Sequence, residues 1–154
     1  MLRAMLRWRQ SFGVERLYYE GFDFPEEQAV LKVYPHAYHR TDRLGRPVFI
    51  MLLGQIDPVQ LERLTTVERL ERNHVYEWEK LLAEKFPACS AVAGRRIYNS
   101  CTIFDLQGIS LYQFHQARHM LQRVTQLDQV CVCARVCVCV RVCVKTGGSV
   151  GAFV

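Results

Sequence analysis

Two hydroxyls set two residues apart, Ser100 and Thr102, are the side chains of this sequence best spaced to do chemistry. They stand in an apolar and aromatic stretch, IYNSCTIF, at 97–104. In an extended strand successive side chains alternate in direction. Tyr98, Ser100, Thr102 and Phe104 then share one face, and Ile97, Asn99, Cys101 and Ile103 the other. A buried hydroxyl needs a hydrogen-bond partner, which neighbouring backbone or water can supply. The functional alternative is a polar spot in an aromatic-lined pocket. Such a pocket suits a ligand with one polar group and much apolar surface.

The other reactive side chains assemble less well. His36 and His39 lie three apart beside Tyr34 and Tyr38, but no third ligand is near and HExxH is absent. His39 is read as a hydrogen-bonded structural histidine, and no metal or cofactor is expected. Cys89 and Cys101 are read as small buried hydrophobes. The sequence contains no GxSxG, P-loop or GxGxxG motif. His115 and His119 follow Ser100 closely, but on a segment patterned as a helix. No nucleophile has a local base, so the chain is expected not to be an enzyme.

These side chains must be held by a sheet. Residues 34–54, YPHAYHRTDRLGRPVFIMLLG, contain a turn, a proline and the apolar run 48–53. A run apolar at every position fits a strand buried on both faces. Asp42 and Gly45 occupy the first and fourth positions of a type I turn. Pro47, with no N–H to give, belongs at the first residue of the strand. The ligand is expected near this strand. Residues 95–104 form the second strand, followed by a turn at 105–108.

Helices fill the intervals. Residues 2–12 are patterned as a helix stopped by Gly13. They are Arg-rich without acids, which also suits a mitochondrial targeting helix, but Leu2, Met5, Leu6 and Trp8 fit an ordinary, partly buried one. Asp23-Phe24-Pro25-Glu26-Glu27 starts a helix that ends before Pro35. Asp57-Pro58 starts a short one. Thr65 and Glu68 form a capping box for a long helix that Pro87 stops. Val67, Leu70, His74, Val75, Trp78, Leu81 and Leu82 line its apolar face, with Arg69, Arg72, Glu79 and Lys80 towards solvent. Ser110 opens a last helix with Leu111, Phe114, Ala117, Leu121, Val124 and Leu127 on one face. Strand, helix, strand, helix predicts an α/β fold with adjacent strands parallel.

Composition narrows the function. The chain has 154 residues, 50% hydrophobic and 23% charged, which suits one ordinary globular domain. Residues 25–130 carry thirteen bases and twelve acids, too balanced for a nucleic-acid footprint. No apolar run approaches the ~18 residues of a membrane-spanning helix. Five of the seven cysteines fall at 131–143, which leaves too few elsewhere for a disulfide framework and points to a reducing compartment. That last segment, QVCVCARVCVCVRVCV, alternates Val and Cys as a translated GT-dinucleotide repeat would. Residues 130–154 are therefore expected to be a low-complexity tail, disordered or non-native. As a strand the tail would set the cysteines of each run on one side. As a soft-metal site it lacks both the neighbouring ligands and the two-residue gaps of zinc motifs.

Three motifs, in order, resemble the CRAL-TRIO lipid-binding domain of the phosphatidylinositol/phosphatidylcholine transfer protein type. They are Tyr34-Pro35…Tyr38-His39…Thr41-Asp42…Gly45-Arg46-Pro47-Val48; Pro87-Ala88-Cys89-Ser90…Gly94; and Ser100-Cys101-Thr102-Ile103…Asp105-Leu106…Gly108-Ile109-Ser110. The resemblance covers residues 2–129. It implies the end of a helical N-terminal lobe at 1–24 and a partial lipid-binding lobe at 25–129, its sheet flooring an apolar pocket for one phospholipid. It implies that Ser100 and Thr102 contact a phosphocholine head group with help from Tyr38. Phe49 stands where relatives often carry tyrosine, keeping the aromatic wall without the hydroxyl. The expected lipid-binding residues are thus Tyr38, Phe49, Ser100 and Thr102. The expected function is transfer of phosphatidylinositol or phosphatidylcholine between membranes. The expected protein is cytoplasmic, peripheral at Golgi or other endomembranes, with a phospholipid ligand, transient membrane contact and no nucleic acid. The resemblance implies further strands, a gating helix and inositol-binding charges, which are expected to be missing after 129, as is most of the helical lobe at the front. The alternative is therefore a truncated product without transfer competence, or an interaction-only module.

Overall fold

Asp42 sets the hairpin that begins the sheet. Its carbonyl accepts from the Gly45 N–H at 2.9 Å, and its Oδ1 accepts from the N–H groups of Leu44 and Arg46, each at 2.9 Å. Arg46 Nε closes the turn on Oδ2 at 2.6 Å. The flanking strands are β1 (His36–Thr41) and β2 (Pro47–Leu52), paired antiparallel. Pro47 stands at the first position of β2, as expected. The strand β1 was not expected: HAYHRT is mixed in polarity, and its hydrogen bonds come from β2 rather than from its own pattern.

The computed structural model describes residues 2–108, the strand at 139–143 and the helical positions 115, 118, 122, 123, 126 and 127. The fold is mixed α/β. The sheet has the order β1-β2-β3-β4, with β3 (Cys101–Asp105) and β4 (Cys139–Cys143) each parallel to its predecessor. The parallel pairing of β2 and β3 is the expected one. β4 comes from the Val-Cys segment and pairs from Cys101↔Cys139 to Asp105↔Cys143. The helix expected to open at Ser110 lies outside the described residues apart from the scattered positions given above; so do Ser110, Leu111, Phe114, Ala117, His119, Leu121 and Val124.

The helices are α1 (Leu2–Phe12), α2 (Val14–Glu20), α3 (Glu27–Val33), α4 (Pro58–Leu64), α5 (Val67–Lys80) and α6 (Phe86–Ala93). Gly13 ends α1 in the left-handed region at φ +75°, as expected, but α2 starts at once. Only Val14 and Leu17 of α2 are buried, too few to show as a period. They join Val75 of α5 in a small core with Trp8, Phe12, Phe22 and Tyr76. A second core lies between α3, β2 and α4, around Val30, Tyr34, Met51, Ile56 and Leu61. A third holds Leu81, Phe86 and Ile97, with Tyr38, Trp78, Cys89 and Ala93 against it.

Two helix boundaries differ from the expected ones. The cap of α5 is Thr66, whose Oγ1 accepts from the Arg69 N–H at 3.3 Å. Thr65 is drawn away, donating its hydroxyl to Glu26 Oε1 at 2.9 Å. Pro87 does not stop the helix. Residues Leu81–Lys85 form a wide π turn, in which the Phe86 N–H reaches Leu81 O, and α6 then carries Pro87 in its first turn. Proline has no N–H and its ring clashes with the carbonyl four residues back. A π turn is one way of clearing that carbonyl without ending the helix. The rotation it adds leaves Leu81 buried and Leu82 exposed, where both were expected inside.

The expected solvent face of α5 is also corrected. Arg69 bonds Glu26, Glu79 takes a bidentate pair from Arg9, and Lys80 turns towards the sheet side of the helix. Each finds a partner on another element or on the inner face, which one-dimensional periodicity cannot register.

Candidate functional site

Register builds the site. β1 and β2 pair Tyr38 with Phe49 and His36 with Met51; β2 and β3 pair Phe49 with Thr102 and Met51 with Phe104. Residues directly opposite in a sheet share a face. Two rows therefore cross the sheet on one side: Tyr38, Phe49 and Thr102, then His36, Met51 and Phe104. They floor a cavity of about 400 Å³. Its far wall comes from α3 and α5, including Val30, Leu70, His74 and Trp78.

All four sequence-predicted residues come together here. Tyr38, Phe49, Ser100 and Thr102 line the one cavity. The Tyr38 and Phe49 rings lie 5.0 Å apart, inclined at 51°. Ser100 is 2% exposed and Thr102 7%. The predicted face is corrected at Tyr98, which is 53% exposed. β3 begins only at Cys101, so the alternation read back to 95 does not hold there. Residue 97 is instead tied to α6: the Ile97 N–H donates to Ser90 Oγ at 2.8 Å. Cys89 and Cys101, expected buried, are half-buried. Burial raises the Cys89 thiol pKa.

The cavity holds polar groups that sequence reasoning missed. His36 Nδ1 lies 2.8 Å from Tyr34 O. A carbonyl only accepts, so Nδ1 carries the proton and a neutral ring keeps its Nε2 lone pair. Burial, first, pushes the His36 pKa below its ordinary value, and nearby His74 adds to this; Tyr34 O, Glu77 and Glu27 oppose it. The Tyr34 and His36 rings are 4.7 Å apart, those of His36 and Phe49 5.8 Å. On α5, Trp78 Nε1 donates to His74 Nε2 at 2.9 Å. Lys80 donates to Glu77 at 2.9 Å, and that bond is the main cause of its raised pKa. Lys85 Nζ sits 5.0 Å from the Tyr38 ring centroid. His74 and Trp78 were legible as helix-face residues. His36 was not, because its face depends on β1 being a strand.

The two histidines three apart in sequence do not converge. His36 lines the cavity and His39 is exposed. Among the described residues no three His, Cys, Asp or Glu side chains gather as a metal site would require. The arrangement can enclose apolar surface and hydrogen-bond one polar group through the Ser100 and Thr102 hydroxyls. Among the described residues no helix is long and apolar enough to cross a membrane.

Residues 31–144 match the CRAL/TRIO domain, a span that begins later than the resemblance and runs on to include β4. The chain is 50% identical over 129 residues to the phosphatidylinositol/phosphatidylcholine transfer protein SFH7 of Arabidopsis thaliana, covering 83% of this chain and 23% of that protein. It is 44% identical over 125 residues to SFH13 of the same plant, which bears the same descriptive name, covering 80% and 20%. It is 43% identical over 123 residues to the Sec14 cytosolic factor of Schizosaccharomyces pombe, covering 80% and 43%. The chain thus spans less than half the length of these curated relatives. With the match covering most of its residues, including every strand of the sheet that floors the cavity, the chain belongs to the CRAL/TRIO domain family.

Proposed function

We propose that this protein binds a phospholipid, phosphatidylinositol or phosphatidylcholine, in the sheet-floored cavity and moves it between membranes. One observation carries the reading: a buried hydroxyl pair, Ser100 and Thr102, at the floor of a cavity whose apolar lining includes Tyr34, Tyr38, Phe49, Met51, Trp78 and Phe104, with charged groups of α3, α5 and Lys85 at other parts of its wall. Its volume of about 400 Å³ is that of a small-molecule site, enough for a head group and the adjoining part of the acyl chains. Removing acyl chains from water drives uptake at about 25 cal/mol per Å² of apolar area. The two hydroxyls select the head group, because a lipid that leaves them unpaired loses a buried hydrogen bond.

In this reading Tyr38 and Phe49 supply the aromatic wall beside the head group. Phe49 brings no hydroxyl, so Ser100 and Thr102 carry more of the polar recognition. The cycle is extraction, shielding and release, with no bond made or broken, and the protein is not an enzyme. It works in the cytoplasm and touches Golgi or other endomembranes transiently.

The test is lipid extraction and native mass spectrometry of the chain after incubation with mixed vesicles. A one-to-one phospholipid complex is expected. The double variant Ser100→Ala/Thr102→Val should lose about tenfold or more in phosphatidylcholine uptake, since each lost hydrogen bond to a charged group is worth about 1.5–3 kcal/mol. A chain that takes up no lipid would overturn the reading and leave the alternative of a truncated product without transfer competence or an interaction-only module.

A further inference from the structure

The charge of the chain is not spread evenly over its surface. Residues 39–46 and 92–98 together contain five arginines and one acid, Asp42. Over 25–130 there are thirteen bases and twelve acids; without these two segments, eight bases face eleven acids. Residues 25–130 therefore carry a net negative charge outside these two stretches, which lie far apart in sequence.

The fold brings them together. Gly45, at φ +71°, lies so close to α6 that a Cβ there would stand 3.0 Å from Ala93 Cβ. Arg95 Nη2 donates to Leu44 O, tying the two loops across 51 residues. A carbonyl partner leaves the guanidinium charge unneutralised. Arg46 is neutralised by Asp42. Arg40, Arg95 and Arg96 are exposed, and so is Arg43 in the hairpin turn. Large apolar side chains stand in water among them: Leu44 is 54% exposed, Val92 92% and Tyr98 53%.

Arginines alone would suit any polyanion. Apolar and aromatic tips interleaved with arginines suit a surface that is charged outside and apolar beneath, with tyrosine at the head-group level. We infer that the end of the molecule formed by the β1–β2 hairpin and the α6–β3 loop is a docking surface for anionic membranes. Leu44, Val92 and Tyr98 enter the interface while Arg43, Arg95 and Arg96 meet lipid head groups. Tyr98 precedes Ser100 by two residues and Arg40 follows Tyr38 by two, so the chain runs within two residues from the docking surface to the cavity lining at both places. The inference deepens the membrane-contact part of the proposed function, and its test separates docking from cavity occupation.

The 154-residue chain is sedimented with vesicles of phosphatidylcholine alone and with vesicles in which a third of the lipid is phosphatidylserine. Binding is expected to the second, falling with added salt because the Debye length shortens. Arg95→Gln/Arg96→Gln should weaken it on the order of 30-fold, from the usual contribution of a basic residue near an anionic surface. Leu44→Ser/Tyr98→Ser should weaken it at every salt concentration. Arg95→Lys/Arg96→Lys, which keeps the charge, should retain most of the affinity. Arg3→Gln/Arg7→Gln on exposed α1 should leave it unchanged. Loss of binding in the α1 variant, equal binding to both vesicles, or retention on heparin with neither vesicle bound would each overturn the inference. Lipid content measured in parallel should not change in the Arg95/Arg96 variants, so failure of docking and failure of cavity binding remain distinguishable.

Discussion

His36 is the residue at which packing and protonation conflict most directly. Its ring is wedged between Tyr34 and Phe49, with Nδ1 committed to Tyr34 O. Burial depresses its pKa, so the folded state holds it neutral where the unfolded chain binds a proton. Stability is then undiminished above the unfolded value of about 6.5 and declines as the pH falls through it towards the lower folded value. His36→Gln should flatten this decline below about pH 6.5, read as the thermal midpoint against pH. An unchanged slope would show that the ring is not held neutral. At this scale the sequence was informative wherever a side chain's face followed from a strand already recognised. Ser100 and Thr102 meet that condition. Phe49 came only from the resemblance, since a run apolar at every position does not say which residues face a pocket. His36 does not meet it, because nothing in HAYHRT says which of its two histidines turns inward.

Among the elements, the join between α3, the 64–66 loop and α5 rests on one carboxylate. Glu26 accepts from Arg69 Nε, from Arg69 Nη2 at 3.0 Å and from the Thr65 hydroxyl at 2.9 Å. The Arg69 hydrogen bond is the main reason its pKa is lowered to about 2, with Thr65 helping and burial opposing. A carboxylate with a depressed folded pKa stabilises above its unfolded value and loses that contribution as the pH falls to the folded one. The window is therefore about pH 4.5 down to about 2. Glu26→Gln should lower stability at neutral pH and remove this part of the acid-unfolding slope, measured by denaturant unfolding at a series of pH values. A slope identical to that of the parent chain would refute the assignment. Here sequence reasoning went astray for a definable reason. Thr65 and Glu68 have capping-box spacing, but Glu26, 39 residues earlier, competes for Thr65 and wins it. Pro87 likewise reads as a stop, yet the π turn before it lets the helix resume.

For the molecule as a whole, the side wall of the cavity and the third core share a support. Leu81 is completely buried with Phe86 and Ile97, and Tyr38 and Trp78 pack against that cluster while lining the cavity. Leu81→Ala should lower the unfolding free energy by about 2–5 kcal/mol, the range for such truncations in cores, and should loosen lipid retention through Tyr38 and Trp78. Denaturant titration and lipid content of the same preparation check both; a loss under about 1 kcal/mol would mean that the site collapses around the gap. What the sequence determined by itself was local. It determined the Asp42 turn, the central strand after Pro47 though not its burial on both faces, most helix bodies, and the hydroxyl pair on one side of the chain, because turn chemistry, strand alternation and helical period act over a few residues. Only the tertiary structure decided that HAYHRT is a strand, that Val-Cys residues pair beside β3, that Lys80 and His36 turn towards the cavity, and that two distant arginine loops form one surface. Those outcomes depend on hydrogen bonds and contacts between segments far apart in the chain, and no window along the sequence contains both partners.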